Sequence, residues 1–235
     1  MVYRMVCIIF LFGEVFLTKL VVDQAGYQVE GRQIWHDISF ELHDGDWVTV
    51  VGPSGGGKST LLKAIAGLQD ITEGHIFLND EDVMRLPIGD YRKQVSYATQ
   101  SAQLFGETVR ENLDLPYLVR QQTPNDQQQI AGLEQMDLPA DYLDKAVTEL
   151  SGGERQRVGV LRNLLFPPTV LLLDEISTGL DAETKQVIWR AIHALHARER
   201  LIVLSVTHDE GEIADAQDIL TIQNGEGARR HEQSN

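Results

Sequence analysis

The order of hydrophobic and polar positions along the chain predicts strands that alternate with helices. Alternating or β-branched runs at 18–29 and 38–42 predict strands, and WVTVVG at 47–52 predicts a buried strand that a glycine ends. KSTLLKAIAGL at 58–68 has apolar residues at helical spacing, and EGHIFLNDEDV at 73–83 returns to strand and turn. The first third of the chain therefore predicts a β-rich portion followed by a strand–helix unit.

The second half of the chain has the pattern of a parallel sheet. TVLLLDE at 169–175 is almost wholly apolar, as expected of a central parallel strand. The segment 181–200 predicts a helix with Asp181 as its N-cap, and LIVLSVTH at 201–208 predicts another buried strand. Residues 87–166 are rich in Gln, Asp and Leu and contain helix-breaking prolines, which predicts helix and loop. We therefore expect a parallel α/β core with an inserted helical lobe.

The composition fits one globular domain and argues against several classes of protein. The chain has 235 residues, of which 43% are hydrophobic and 23% charged, and its formal net charge is −15. This charge argues against binding to nucleic acid or to an anionic membrane through bulk electrostatics. Cys7 is the only cysteine, so an internal disulfide is excluded and a reducing compartment is indicated.

Both ends of the chain lie outside the predicted domain, which spans residues 18–228. The apolar run Met5–Phe12 is much shorter than the roughly 20 residues that a membrane-spanning helix needs. No small-residue cleavage site follows this run. We interpret residues 1–17 as an extension ahead of the domain, or as the product of a start codon assigned too far upstream, and residues 229–235 as a polar tail.

A glycine-rich segment between a predicted strand and a predicted helix indicates a phosphate-binding loop. GPSGGGKS fits the pattern G-x-x-x-x-G-K-[ST] in the structural context that the pattern requires. Backbone N–H groups of such a loop surround the phosphates, the lysine reaches the β and γ oxygens, and the serine hydroxyl ligates Mg²⁺. The residues predicted to contact the nucleotide here are Gly52, Pro53, Ser54, Gly55, Gly56, Gly57, Lys58, Ser59 and Thr60.

Two acidic residues follow the most apolar strand. Asp174 has the position and chemistry of a Mg²⁺-holding carboxylate, together with Ser59. Glu175 beside it is a candidate general base for the attacking water. Together with the glycine-rich loop, this pair predicts a nucleoside triphosphatase.

The segment LSGGE at 150–154 resembles the signature motif of the ATP-binding subunits of ABC transporters, which is more often LSGGQ. Other elements of that family occur in the expected order over residues 18–225. Gln100 matches the Q-loop glutamine, STGLD ending at Asp181 resembles the D-loop, and His208 matches the switch histidine. Tyr27 lies where the family stacks an aromatic ring on adenine.

This resemblance implies a fold, a set of site residues and a dimer. The fold is a P-loop NTPase core, a mostly parallel sheet flanked by helices, with an N-terminal antiparallel β portion and an inserted helical subdomain at about 87–166. Glu175, His208 and Gln100 would be catalytic, with ATP and Mg²⁺ bound, and Gln100 would also contact the metal. In the family two domains pack head-to-tail, so one copy would contact the nucleotide of the other through Ser151, Gly152, Gly153, Glu154 and Asp181.

The resemblance also implies a membrane partner. A separate permease would hold this subunit at the cytoplasmic face of the inner membrane, and no nucleic-acid partner is expected. The segments LFGETVRENLDLP, YRKQVSY and LLLDEISTGLD, with Ile176 after the acidic pair, look most like the ATPase subunits of bacterial iron-export ABC transporters. Two alternatives stay open: an ATPase for another solute, serving an importer or a lipid or peptide exporter, and a non-transport ABC ATPase.

Overall fold

The computed structural model describes residues 18–231, which form two β-sheets and seven α-helices. Short 3₁₀ turns occur at Val83–Arg85, Ala140–Asp144 and Val147–Glu149. The strands are β1 Lys19–Val29, β2 Arg32–His43, β3 Trp47–Val51, β4 Glu73–Leu78, β5 Glu81–Asp82, β6 Val95–Thr99, β7 Val170–Asp174, β8 Ile202–Val206, β9 Asp218–Gln223 and β10 Glu226–His231. The α-helices are α1 Lys58–Ile65, α2 Ile88–Gln94, α3 Val109–Leu118, α4 Asp126–Gln135, α5 Gly152–Leu164, α6 Ala182–Glu199 and α7 Glu210–Ala214.

The larger sheet is mostly parallel and forms the centre of the molecule. Its strand order is β10-β9-β3-β8-β7-β6, and only β10 runs antiparallel to its neighbour. Every residue of β7 and β8 is buried, because helices or strands cover both faces. The near-continuous apolar runs in these two segments of sequence follow from that double burial.

Two hydrophobic clusters lie on opposite faces of this sheet. Side chains of β7 alternate between them, with Val170 and Leu172 in the first cluster and Leu171 and Leu173 in the second. The first cluster also contains α1 and the four-stranded antiparallel sheet β2-β1-β4-β5. The second contains residues of α3, α4, α5 and α6. The predicted fold, with its N-terminal antiparallel portion and mostly parallel core, is confirmed.

The helical region differs from the prediction at one boundary. The sequence predicted helix and loop throughout 87–166, but β6 lies within that range and pairs with β7 as an edge strand of the core sheet. VSYAT has five residues, of which only Val95 and Ala98 are buried. Its hydrophobic pattern is therefore weak. The inserted helical part therefore begins after Thr99.

The C-terminal part of the chain contributes two strands that the sequence did not predict. Strand β9 pairs in parallel with β3, and β10 returns beside it. Strand β10 extends into the first residues of the predicted polar tail, 229–231. The predicted N-terminal extension 1–17 and Cys7 lie outside the described residues. No helix within 18–231 is both long and apolar enough to span a membrane.

Candidate functional site

The glycine-rich loop connects β3 to α1, as the sequence predicted. It begins at Gly52, directly after β3, and ends at Gly57, which is the N-cap of α1 in a left-handed conformation with φ 86°. A Cβ at Gly57 would lie 2.6 Å from Cδ1 of the buried Trp35. Only glycine therefore satisfies both the turn and the close approach. The first N–H groups of α1 have no partner in their own helix and face the turn.

Lys58, the first residue of α1, turns its side chain back onto this loop. Its side chain is buried, and its Nζ donates to the carbonyl oxygens of Gly52 and Pro53, each 3.0 Å away. Burial lowers the pKa of Lys58, and the nearby carboxylates of Glu175 and Asp174 oppose that shift. The loop thus holds an ammonium group, with two acidic side chains close by.

Asp174 lies at the end of β7 and accepts two hydrogen bonds from hydroxyl groups. The Ser59 Oγ donates to its Oδ1 at 2.8 Å, and the Tyr97 hydroxyl donates to its Oδ2 at 2.5 Å. Burial and the contact with Asp174 raise the pKa of Tyr97, so its hydroxyl stays protonated as a donor. Tyr97 was not among the site residues predicted from the sequence. Thr99 of β6 pairs with Asp174 of β7, and Tyr97 lies two residues before Thr99. The Tyr97 side chain is therefore on the same face of the sheet as the Asp174 carboxylate.

Glu175 and His208 face each other across the ends of β7 and β8. The Glu175 Oε1 and the His208 Nε2 are 3.3 Å apart. Glu175 has a left-handed backbone with φ 55°, and its N–H donates to the carbonyl of Val206 at 2.9 Å. A non-glycine residue adopts this conformation at a cost of roughly 1–3 kcal/mol. The surrounding sheet therefore holds the Glu175 side chain in a fixed direction.

Lys58, Ser59, Glu175 and His208 line one cavity of about 440 Å³. Tyr27 forms part of its wall, with its ring centroid 5.7 Å from that of Trp35. The lining thus combines polar groups of the glycine-rich loop with an aromatic ring. The residues predicted from sequence that line it are Tyr27, Ser54, Gly55, Lys58, Ser59, Thr60, Glu175, His208 and Gly57.

The signature segment does not line this cavity. Ser151 is the N-cap of α5 and forms a capping box with Glu154, whose carboxylate accepts the Ser151 N–H at 2.8 Å and the Tyr142 hydroxyl at 2.9 Å. The Ser151 N–H bond is the largest cause that lowers the pKa of Glu154. Glu154 is therefore directed at its own helix. Ser151 and Gly152 are exposed, and space beside Gly152 is open.

Asp181 is connected to the signature segment through one threonine. As the N-cap of α6, Asp181 accepts the Thr184 N–H and the Thr184 hydroxyl, both at 2.8 Å. A Cβ at Gly153 would lie 2.9 Å from that hydroxyl oxygen. Gly153 therefore lets the N-termini of α5 and α6 approach closely. The predicted N-cap role of Asp181 is confirmed.

Gln100 is exposed and does not line the cavity. Gln156, which was not predicted from the sequence, connects the segment around Gln100 to the residue after the acidic pair. Gln156 is buried in α5, and its amide donates to the carbonyls of Thr99 at 3.0 Å and Ile176 at 3.2 Å while accepting the Ala102 N–H at 2.8 Å. A polar residue on the apolar face of α5 was the only signal in the sequence for this contact.

The chain resembles ATP-binding proteins of transporters along most of its length. The family model described as ABC transporter matches residues 35–178. The chain is 42% identical over 204 residues to the "Probable iron export ATP-binding protein FetA" of Escherichia coli (strain K12), covering 87% of this chain and 91% of that protein. It is 36% identical over 196 residues to the sulfate/thiosulfate import ATP-binding protein CysA of the same strain, covering 81% of this chain and 53% of that protein.

A solved structure shares the fold. A bacterial Atm1-family ABC exporter with ATP bound superposes with a TM-score of 0.81 at 28% identity, covering 91% of this chain and 38% of the other. The chain spans a little over a third of that exporter, which is consistent with a match to one of its parts. From the family match, the near full-length relative and the shared fold, we conclude that this chain belongs to the ABC transporter family and is an ATP-hydrolysing subunit of it.

Proposed function

We propose that two copies of this subunit bind ATP and Mg²⁺ between them and drive a separate permease that exports iron. The observation that carries the paired arrangement is the division of the site within one copy. The glycine-rich loop, Glu175 and His208 share a cavity, whereas the exposed N-terminus of α5 lies outside it. A second copy in head-to-tail orientation would bring the missing contacts.

In this proposal the loop of one copy binds the nucleotide. Tyr27 stacks on the base, and the N–H groups of the loop with the Lys58 ammonium hold the phosphates. The donor set at Ser59 and Asp174 is the hydroxyl and carboxylate oxygen chemistry that Mg²⁺ prefers. Ser59 and Asp174 would hold the metal, which would supply positive charge beside the phosphates. Gln100 reaches the site only after its exposed segment moves.

Glu175 is the general base in this proposal. Its carboxylate accepts a proton from the attacking water, and its fixed left-handed backbone holds it toward the phosphate end of the cavity. His208, whose Nε2 lies 3.3 Å from that carboxylate, orients Glu175 and helps to position the γ-phosphate. Both residues lie on ends of neighbouring strands, so a shift of one strand end changes their separation.

The N-terminus of α5 completes the site of the partner. Gly152 and Gly153 precede the first intrahelical hydrogen bond, so the helix leaves their N–H groups unsatisfied. The capping box uses Ser151 and Glu154 on the helix itself and leaves those two N–H groups exposed to an anion. Two-fold symmetry would produce two equal sites from this one surface.

The helical part offers a surface for the permease. Phe105, Leu115, Leu118 and Val119 are large apolar side chains that are exposed there. A shallow groove of about 190 Å³ beside them is lined by Arg92, Lys93, Arg120 and Arg162. An apolar patch with a basic rim fits a permease loop that carries apolar and acidic residues. Iron as the solute is supported by the identity to the iron-export relative over most of its length.

The general-base assignment predicts the effect of Glu175→Gln. Turnover of ATP should fall by about 10²–10⁴-fold, because the amide cannot accept the proton, while ATP-dependent dimers accumulate. Steady-state hydrolysis and size-exclusion chromatography with ATP measure both effects. The matched control is Glu210→Gln, an exposed glutamate at the start of α7. Normal hydrolysis by Glu175→Gln would contradict the assignment.

The paired site predicts the effect of Ser151→Arg. Hydrolysis should fall by about 100-fold or more, because the partner's phosphate contacts are blocked, while the affinity of the isolated subunit for ATP stays unchanged. Thr108→Arg is the matched control, since Thr108 caps α3 through the same capping box with Glu111. Equal losses in the two variants would assign the effect to helix capping alone, and weaker ATP binding by the isolated subunit would contradict the in-trans site.

The contact between Tyr97 and Asp174 predicts a change in metal dependence. Tyr97→Phe should raise the Mg²⁺ concentration for half-maximal hydrolysis by about 10-fold, because Asp174 loses a hydroxyl that orients it. Tyr91→Phe removes a buried hydroxyl that donates to the Ile65 carbonyl elsewhere in the core. This control should lose stability and keep its Mg²⁺ dependence. An unchanged Mg²⁺ dependence in Tyr97→Phe would exclude the positioning role.

Coupling to the permease predicts the effect of Leu118→Asp. Leu118 is 59% exposed, so the subunit should fold and hydrolyse ATP normally. Its apparent affinity for the permease should fall by at least about 10-fold, because a charge replaces an apolar contact. Permease-stimulated hydrolysis and ATP-driven iron efflux from proteoliposomes are the measurements, with exposed Gln127→Asp on α4 as control. If the permease stimulates ATP hydrolysis without iron and the proteoliposomes export another solute, iron export is refuted. The proposed docking surface would still stand.

A further inference from the structure

A second cavity lies on the other side of the strand that leads to His208. Its volume is about 550 Å³, which exceeds that of the nucleotide cavity, and the two share no lining residue. It is bounded by β3, β8, α6, α7 and the beginning of β9. Nothing in the proposed hydrolysis cycle uses it.

The walls of this cavity are aromatic. Trp47 stacks on His193 with ring centroids 4.5 Å apart, and the edge of His196 contacts it at 5.2 Å. Trp189 closes the wall, 5.9 Å from Trp47. Exposed His193 and partly buried His196 thus extend the indole surface of Trp47. Burial is the main cause that lowers the pKa of His193, which favours its neutral ring.

The charges of the lining are all negative. Asp46, Glu212, Asp215 and Asp218 contribute carboxylates, and none of the described residues that line the cavity is Lys or Arg. Arg229 at its edge pairs with Asp218 and Asp46. Even with that pairing the acidic groups outnumber the cation.

Glu212 is the lining carboxylate with an acceptor oxygen that no described residue uses. Its Oε1 accepts the Trp189 indole N–H at 2.9 Å, whereas its Oε2 is buried and has no hydrogen-bond partner among residues 18–231. Lys185 on α6 is held by Asp209, whose Oδ2 lies 2.7 Å from its Nζ. A buried carboxylate oxygen without a donor is costly, and a positive charge placed beside it would offset that cost.

We propose that this cavity binds a small organic cation, with its ammonium group near Glu212 and its apolar part against Trp47 and Trp189. Aromatic faces and carboxylates are the two surfaces that attract such a cation, and both occur here together. An anion would meet only negative side chains. A metal ion fits less well, because no group of three His, Cys, Asp or Glu side chains within the described chain is arranged to hold one.

The cavity is connected to the switch-histidine segment by short contacts. Thr207 lines the cavity, and its Oγ1 accepts the Asp209 N–H at 3.0 Å. Asp209 in turn caps α7, the helix that carries Glu212. His208 lies between these two residues in the chain, so a ligand that orders this segment would change the rate of ATP hydrolysis. The binding itself does not depend on iron transport or on the permease.

The test compares choline with its neutral isostere 3,3-dimethyl-1-butanol, using the full chain. Calorimetry and quenching of tryptophan fluorescence should show saturable binding of choline, with the isostere weaker by at least about 10-fold because it lacks the charge. Glu212→Gln should weaken choline binding and leave the isostere unchanged. Trp47→Leu should weaken both. Glu210→Gln, on the same helix but outside the cavity, is the matched control.

Binding of ATP by every variant verifies that it is folded, so a loss of choline binding is assigned to the cavity. Equal binding of choline and the isostere would overturn the proposal, and so would full choline binding by both Glu212→Gln and Trp47→Leu. If neither choline nor spermidine binds at about 10 mM, a concentration above the range of specific sites, the cavity is not a site for organic cations. These outcomes leave the proposals on Glu175 and Ser151 unaffected.

Discussion

Parallel pairing of the central strands is the constraint on which the site depends. Because β3, β8, β7 and β6 run in one direction, their carboxyl ends meet at one edge of the sheet. The pairing places Asp174 opposite Val206 in β8 and opposite Thr99 in β6. Within two residues after these positions come Glu175, His208 and Gln100, respectively after Asp174, Val206 and Thr99. A nucleotide at this edge is therefore in reach of groups that lie far apart in sequence.

Two helix N-termini account for the two phosphate-binding segments of our proposal. The N-terminus of α1 opens into the cavity of its own chain, whereas that of α5 is exposed on the surface. The capping box at Ser151 and Glu154 stabilises α5 without using the N–H groups of its first two residues. We infer that Glu154 serves the helix and that Ser151, Gly152 and Gly153 face the partner. The replacement of the commoner glutamine by Glu154 is then compatible with function, since a carboxylate completes the capping box.

The sequence predicted those parts of the site that depend on local spacing. Lys58, Ser59 and Asp174 could be found because a loop between strand and helix, or a strand end, imposes its own pattern on neighbouring residues. Tyr97 and Gln156 could not, because their roles depend on which strand lies beside β7 and on which side of α5 faces it. That information is in the tertiary pairing, and the weak pattern of β6 concealed it. The second cavity was missed for the same reason, since α6 brings His193 to Trp47 across the sheet.

The charges around Lys58 give a physical reason for the metal in our proposal. One ammonium group lies near two carboxylates, Asp174 and Glu175, so this end of the cavity is not positive enough to bind a triphosphate by charge alone. Burial of Lys58 lowers its pKa, and the two carboxylates offset only part of that shift. A divalent cation held at Ser59 and Asp174 would reverse the sign of the local charge where the β and γ phosphates lie. Glu175, beside His208, would then be the carboxylate that the metal does not neutralise and that can accept a proton. Such a site would bind phosphate only together with the metal.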